Sequence, residues 1–198
     1  MQNNVCPQLS HWTWEKEAQK TNKIGNRKNT NKIRNRKKKN KIRTKEKQKT
    51  LEKVQPLTAQ KVREKCKSLK HFAGVISIED LNNALICDVP ICFVININAH
   101  WIGIWVSRRF IEIYDGLGDQ SGLTKNKYFT NFLCNNLINR RLRYTRQIQS
   151  DTSVLCGQLS VTCLHLRVND VSFDSINANF SDDFHKNDKL IQNLFQDL

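Results

Sequence analysis

Cys156 stands where the polar stretch QSDTSVL gives way to an apolar run of helical pattern, CGQLSVTCLHLRV. Two readings fit a cysteine at such a junction. A free cysteine is most often a small buried hydrophobe. At the first turn of a helix it can also be a thiolate nucleophile, because unpaired N–H groups and the positive end of the helix dipole favour the charged sulfur. A nucleophile of this kind needs a base within hydrogen-bond reach, and the base needs an orienting partner. His100 and Asp115 are spaced to supply both. The β-like runs Trp101–Val106 and Phe110–Tyr114 flank Ser107, Arg108 and Arg109, which reads as a hairpin without the favoured Asn-Gly turn. With the turn centred near Arg108, residues whose numbers sum to about 216 lie opposite each other. His100 then sits beside Asp115 or Gly116, where a carboxylate would fix the imidazole tautomer and stabilise imidazolium.

Acyl transfer at a cysteine also needs donors for the developing oxyanion. The backbone N–H of Cys156 is one. Gln149, seven residues earlier, is a second by its type and place. His100, Asp115, Gln149 and Cys156 together fill every role of a cysteine acyl-transfer site. Each residue alone is weak: a histidine before a tryptophan, an aspartate after a strand and a single glutamine are usually structural. Cys92 in a strand, and Cys134 and Cys163 within helices, occupy positions of inert packing. Among the cysteines, only Cys156 combines a helix start, a following glycine and a polar approach.

The elements that must position these groups are legible from Leu57 onward. LTAQKVREKCKSL predicts a helix capped by Thr58, with Val62, Cys66 and Leu69 on one face. HFAGVISIEDLNNAL reads as a turn and a short helix, and ICFVININ after Pro90 as a buried strand. Residues 125–139 predict a helix with Phe129, Phe132, Leu133 and Leu137 at helical spacing. RLRYTRQIQ alternates as a half-buried strand through Leu142, Tyr144 and Ile148, with Gln149 at its end. The helix from Cys156 turns Leu159, Cys163 and Leu166 inward. A last amphipathic helix, capped by Asn187 or Asp188, buries Leu190, Ile191, Leu194 and Phe195.

Charge divides the chain differently. Residues 1–56 hold 17 Lys/Arg against 4 Asp/Glu, leaving 16 against 14 for residues 57–198, within a net charge of +15. The first part is low in complexity and poor in large apolar groups, the composition of a disordered tail. It is either a tail for DNA, RNA or nuclear targeting, or a solvated spacer. Trp12 and Trp14 form a small aromatic spot within it. Residues 57–198 make one domain. No stretch approaches the roughly 18 apolar residues of a membrane span, and no signal-peptide pattern opens the chain. Seven cysteines, an odd number, then read as reduced thiols inside a cell. No CxxC pair supports zinc, so neither a metal nor another cofactor is expected.

His100-Trp101, the strand-end Asp115 and the run Q-S-x-T-S-x-x-C-G-Q from Gln149 to Gln158 resemble the adenovirus-type cysteine proteases. The likeness is nearest to those carried by Maverick/Polinton transposons and related viruses. Phe72, Gly74, Val75, Asp80 and Leu81 match that family's F-x-G-V-x-x-x-D-L segment. The resemblance covers residues 57–198. It implies an α+β, papain-like fold with a central mixed sheet flanked by helices, shared in outline with SUMO and ubiquitin-like-protein proteases. It implies cleavage of a protein substrate next to glycine, with Trp101 covering the cleft beside His100 and Gly157 lining it. It also implies capsid maturation in a packaged virion, with a peptide activator or DNA as an optional partner; the basic tail, and not the resemblance, points to the nucleus. The interval from Asp115 to Gln149 is short for the family, and the basic tail is not part of its core.

Arg140, Arg141, Arg143 and Arg146 crowd around Tyr144. They are either charges protecting an edge strand or a nucleic-acid site with an aromatic stacking face. Two rival functions remain: removal of a ubiquitin-like protein by the same chemistry, and a non-catalytic scaffold that binds nucleic acid.

Overall fold

A computed structural model describes residues 55–198. The expectations for the basic tail, its aromatic spot and Cys6 fall outside the described residues. Helix α1 (Ala59–Cys66) opens the domain, and Thr58 caps it by accepting from the Lys61 N–H. Strand β1 (Phe72–Ser77) follows, then a 3-10 turn (Glu79–Asn83), β2 (Ile91–Ile97), β3 (His100–Val106) and β4 (Phe110–Tyr114). Two further 3-10 turns lead to α2 (Lys127–Asn136) and β5 (Arg141–Tyr144). Helices α3 (Cys156–Val168), α4 (Phe173–Ala178) and α5 (Phe184–Gln196) complete the chain.

The strands form one mixed sheet in sequence order, β1 to β5. β1 runs parallel to β2, and β5 parallel to β4, while the central pairs are antiparallel. The period-two alternation of side chains divides the core between the two faces. Phe93, Ile95, Ile102, Ile104, Ile111 and Ile113 pack on one side with Phe129 and Phe132 of α2. Cys92, Val94, Trp101, Trp105 and Tyr114 pack on the other with Leu159, Cys163 and Leu164 of α3. α3 is therefore buried nearly all round from Cys156 to Leu164, more deeply than a single inward stripe requires.

Three expectations need correction. FAGVIS is not part of a turn but strand β1, completed by pairing with β2; only the Glu79–Asn83 portion is helical, as a 3-10 turn. Gly74 at φ 132 takes up a register shift there, and that conformation hides the strand from a reading by alternation. β5 ends at Tyr144, so Ile148 and Gln149 lie in the following loop, and Leu142 is exposed at the sheet's edge. The last helix begins at Phe184 and is capped by Asp183, whose carboxylate accepts from the His185 and Lys186 N–H groups. Asn187 is instead buried within it.

α3 is set against β3 by a close approach. A Cβ on Gly103 would lie 3.1 Å from the Ser160 carbonyl oxygen and 3.3 Å from Leu164 Cγ. Ser160 Oγ donates to the Trp101 carbonyl oxygen at 3.1 Å. These contacts fix the helix against the strand both in height and along its axis. Beneath them Glu112, fully buried, accepts from Arg167 Nε at 2.7 Å and from the Tyr114 hydroxyl at 3.0 Å. Both bonds fall on Oε2; Oε1 makes no hydrogen bond and has only the Arg143 guanidinium at 4.0 Å, so the buried carboxylate is compensated in part.

Candidate active site

The turn from β2 to β3 places His100. Ile97 pairs with His100, so Asn98 and Ala99 alone make the turn, both with left-handed φ (50° and 64°). Two such residues form the tight hairpin whose twist matches that of the strands. The β3–β4 pairing runs one residue later than the expected register: Gly103 faces Tyr114 and Ile104 faces Ile113. The ladder stops there, with the two-residue turn at Arg108 and Arg109 closed by Ser107 N–H donating to the Phe110 carbonyl at 2.8 Å. Asp115 lies just past the ladder, and its carboxylate still reaches His100, with Nε2 to Oδ1 at 2.8 Å.

Asp115 is wholly buried and held on every side. Its N–H donates to Thr145 Oγ1 at 2.8 Å, and Thr145 Oγ1 donates to its carbonyl at 2.6 Å. Oδ1 also accepts from the Leu117 N–H at 3.0 Å, and Oδ2 from the Tyr144 hydroxyl at 2.7 Å. Burial, then the Asp115 charge, raises the Tyr144 pKa, so the phenol stays a donor. Nothing in the residue types announced this clamp. Tyr144 was legible as an inward position of RLRYTRQ, but its partner was not.

With Nε2 engaged by Asp115, Nδ1 is the imidazole nitrogen left for the thiol of Cys156. Burial opposes charge on Cys156, but hydrogen bonding to His100, the Trp101 N–H and the His100 charge outweigh it and lower the thiol pKa. Trp101 N–H lies 3.5 Å from Sγ. Burial also opposes charge on His100, yet hydrogen bonds to Asp115 and Cys156 raise its pKa to about 9. The two shifts run in opposite senses, the thiol down and the imidazolium up, which is the direction that favours a thiolate–imidazolium pair. The other buried thiols respond in the opposite sense: burial pushes Cys66 and Cys92 up to about 12 and raises Cys163 further. No side chain caps α3, so the N–H groups of its first turn face the sulfur's end of the helix.

Trp101 is buried rather than lying open across a cleft, and its Nε1 donates to the Leu57 carbonyl at 2.8 Å. Gly157 is where these groups converge: a Cβ there would meet Leu57 Cβ and Trp101 Cδ1, each at 3.0 Å. Gln158 Nε2 reaches the Gln55 carbonyl at 3.2 Å, so residues 55–57 strap the first turn of α3. The domain's contacts thus begin two residues before the expected boundary at Leu57. An open hollow of about 500 Å³, lined in part by Leu57, Val75, Ala99 and Trp101, adjoins this strap without touching Cys156 or His100. Gln149 is buried, and its amide nitrogen lies 3.1 Å from Ser153 Oγ and 3.4 Å from Asp188 Oδ1. Ser153 and Asp188 were not foreseen, and no local signal marks Asp188, which arrives on α5.

The arginine cluster is largely consumed by the domain itself. Arg140 donates to the carbonyls of Ser107, Asn136 and Ile86. Arg143 stacks on Phe110 at 3.8 Å and pairs with Asp174 at 3.5 Å. Arg146 pairs with Asp182 and donates to the Phe180 carbonyl at 2.6 Å. Of the four, only Arg141 has no side-chain partner among the described residues. Edge protection fits this arrangement; a shared phosphate site would have to replace the exposed pairs of Arg143 and Arg146 and the carbonyl bonds of Arg140. Among the described residues no three His, Cys, Asp or Glu side chains gather as a metal site, and no helix is long and apolar enough to cross a membrane. No protein-family model matches the chain, and no curated protein matches it.

Proposed function

We propose that residues 55–198 form a cysteine peptidase domain of papain-like, adenovirus-type architecture. The observation that carries the reading is the hydrogen bond between His100 and the buried Asp115 carboxylate at a sheet end, where the uncapped helix that begins at Cys156 sets Sγ beside the Trp101 N–H. In the reaction the Cys156 thiolate attacks the scissile carbonyl, and the C–S bond forms as the carbonyl oxygen takes the negative charge. The Cys156 N–H and the Gln149 amide would hold that oxyanion. His100 then gives its proton to the leaving nitrogen and the C–N bond breaks, leaving an acyl-enzyme. His100 next accepts a proton from water. The hydroxide attacks, the C–S bond breaks, and the thiolate–imidazolium pair returns.

The open hollow lined in part by Trp101 and Ala99, the residues that flank His100 in sequence, is room for a more distant part of a substrate. The sequence resemblance adds glycine beside the cut and a viral or transposon protein as substrate. The test is site-resolved alkylation of the full chain followed by mass spectrometry. Cys156 is expected to react far faster at pH 7 than Cys66, Cys92 and Cys163, and His100→Ala to remove the excess. A Cys156 no faster than those buried thiols would overturn the reading. Peptide cleavage that survives Cys156→Ala would overturn it as well.

A further inference from the structure

Gln149 is held in one orientation by a carboxylate from a distant part of the chain. Asp188, one turn into α5, accepts from Ser153 Oγ at 3.0 and 3.2 Å and from Gln149 Nε2 at 3.4 Å. Ser153 Oγ in turn accepts from Gln149 Nε2 at 3.1 Å. A carboxylate is an acceptor only, so it turns the nitrogen end of the amide toward itself and the oxygen end away. The oxygen end lies against Gly116, where an added Cβ would come within 1.9 Å of Gln149 Oε1. The backbone fixes the same residue: Gln149 N–H donates to the Gly116 carbonyl at 2.9 Å.

The two acceptors are themselves only 3.0 Å apart. Seen from Nε2 they fall in one narrow sector, smaller than the roughly 120° between the two hydrogens of a planar amide. One hydrogen serves both acceptors, and the second is left for another partner. We infer that Asp188, acting with Ser153, is a positioning residue that presents the second amide hydrogen of Gln149 to the oxyanion. This inference rests on the cysteine-peptidase reading. It adds α5, through Asp188, to the elements on which catalysis depends.

The experiment separates two reactions of the same sulfur in the full-length protein. N-acetylglycine p-nitrophenyl ester reports acylation: the C–S bond forms through an oxyanion, the ester C–O bond breaks, and p-nitrophenolate leaves with the electron pair. Iodoacetamide alkylates the sulfur by displacing iodide and forms no oxyanion. Asp188→Asn lets the amide turn over, and is expected to slow acylation about ten- to a hundredfold with the alkylation rate unchanged. Ser153→Ala is expected to act in the same direction, and Gln149→Ala to cost at least as much. Equal slowing of both reactions in Asp188→Asn and Ser153→Ala would mean a loosened fold and would overturn the proposal. So would Asp188→Asn acylation within twofold of the parent while Gln149→Ala is slow. Unchanged acylation in Gln149→Ala would remove the oxyanion role of that residue, and with it the role of Asp188. A Cys156 that is slow toward iodoacetamide in the parent protein would instead sink the peptidase reading itself.

Discussion

At the scale of single residues, the proposed pairing of Cys156 with His100 governs what can be measured first. The Cys156 thiol is lowered and the His100 pKa raised to about 9. Acyl transfer needs both charges, since the thiolate attacks and the imidazolium donates. Activity is therefore expected to follow a bell. Its acid limb, where the thiolate is protonated, lies below the ordinary thiol range near 8.5. Its alkaline limb, where imidazolium is lost, centres near pH 9. A pH series of glycine-ester turnover checks this, and a single rise through the ordinary thiol range would contradict it. Tyr144→Phe leaves Asp115 Oδ2 without its donor. A hydrogen bond to a buried charge is worth roughly 1.5–3 kcal/mol, and the loss is expected in urea unfolding together with slower turnover. Unchanged stability would mean that water or another group replaces the phenol. That His100 meets Asp115 and that Cys156 opens a helix were legible before the fold was known, because both follow from the local secondary structure around them. The clamp of Tyr144 and Thr145 was not, because both side chains act on an aspartate some thirty residues away in sequence, Tyr144 on its carboxylate and Thr145 on its backbone.

At the scale of elements, two backbone features hold the site. Gly103 lets α3 lie close on β3, and Gly103→Ala would force its Cβ against the Ser160 carbonyl, which is backbone and cannot move alone. Overpacking of this sort costs typically about 1–3 kcal/mol. Because the same docking keeps Sγ near the Trp101 N–H, Cys156 alkylation is expected to slow along with the loss of stability. A variant as reactive as the parent would show that the nucleophile does not depend on that approach. Ala99 carries a left-handed φ of 64° immediately before His100. An L-residue with a side chain pays about 1–2 kcal/mol there, partly offset by the greater freedom that glycine loses on folding. Ala99→Gly is thus expected to raise unfolding stability by about 0.5–1 kcal/mol. A fall in stability would mean that the methyl group contributes packing of its own. The helix expectations held in kind because amphipathic spacing is local. β1 was missed because its partner β2 is remote and Gly74 breaks its alternation.

At the scale of the whole molecule, the strap formed by residues 55–57 ties the start of the domain to the nucleophile's helix. Removing residues 1–54 is expected to leave thermal unfolding of the domain unchanged. Removing residues 1–58 takes away the Leu57 acceptor of Trp101 Nε1 and the Thr58 cap of α1. Each is worth on the order of 1 kcal/mol, so the longer deletion is expected to unfold at least several degrees lower and to alkylate more slowly at Cys156. Equal behaviour of the two truncations would show that the strap is dispensable. The net positive charge of residues 1–56 plays no part in this contact, which uses a backbone carbonyl and an apolar side chain.

Local pattern alone determined most of the elements, the place of Cys156 at a helix start, the hairpin that brings His100 to Asp115, and the roles that four residue types could share. These follow from backbone periodicity and from the few side chains able to attack, transfer a proton or donate to an oxyanion. Tertiary structure alone decided which groups support those four. It put the Tyr144 hydroxyl on Asp115, Leu57 under Trp101, Asp188 behind Gln149, and three of the four clustered arginines into bonds within the domain. The physical reason is range. Helices, turns and hairpins are set by neighbours a few residues apart, whereas the partners of a buried polar group are chosen by how distant elements pack. No spacing along the chain records that choice.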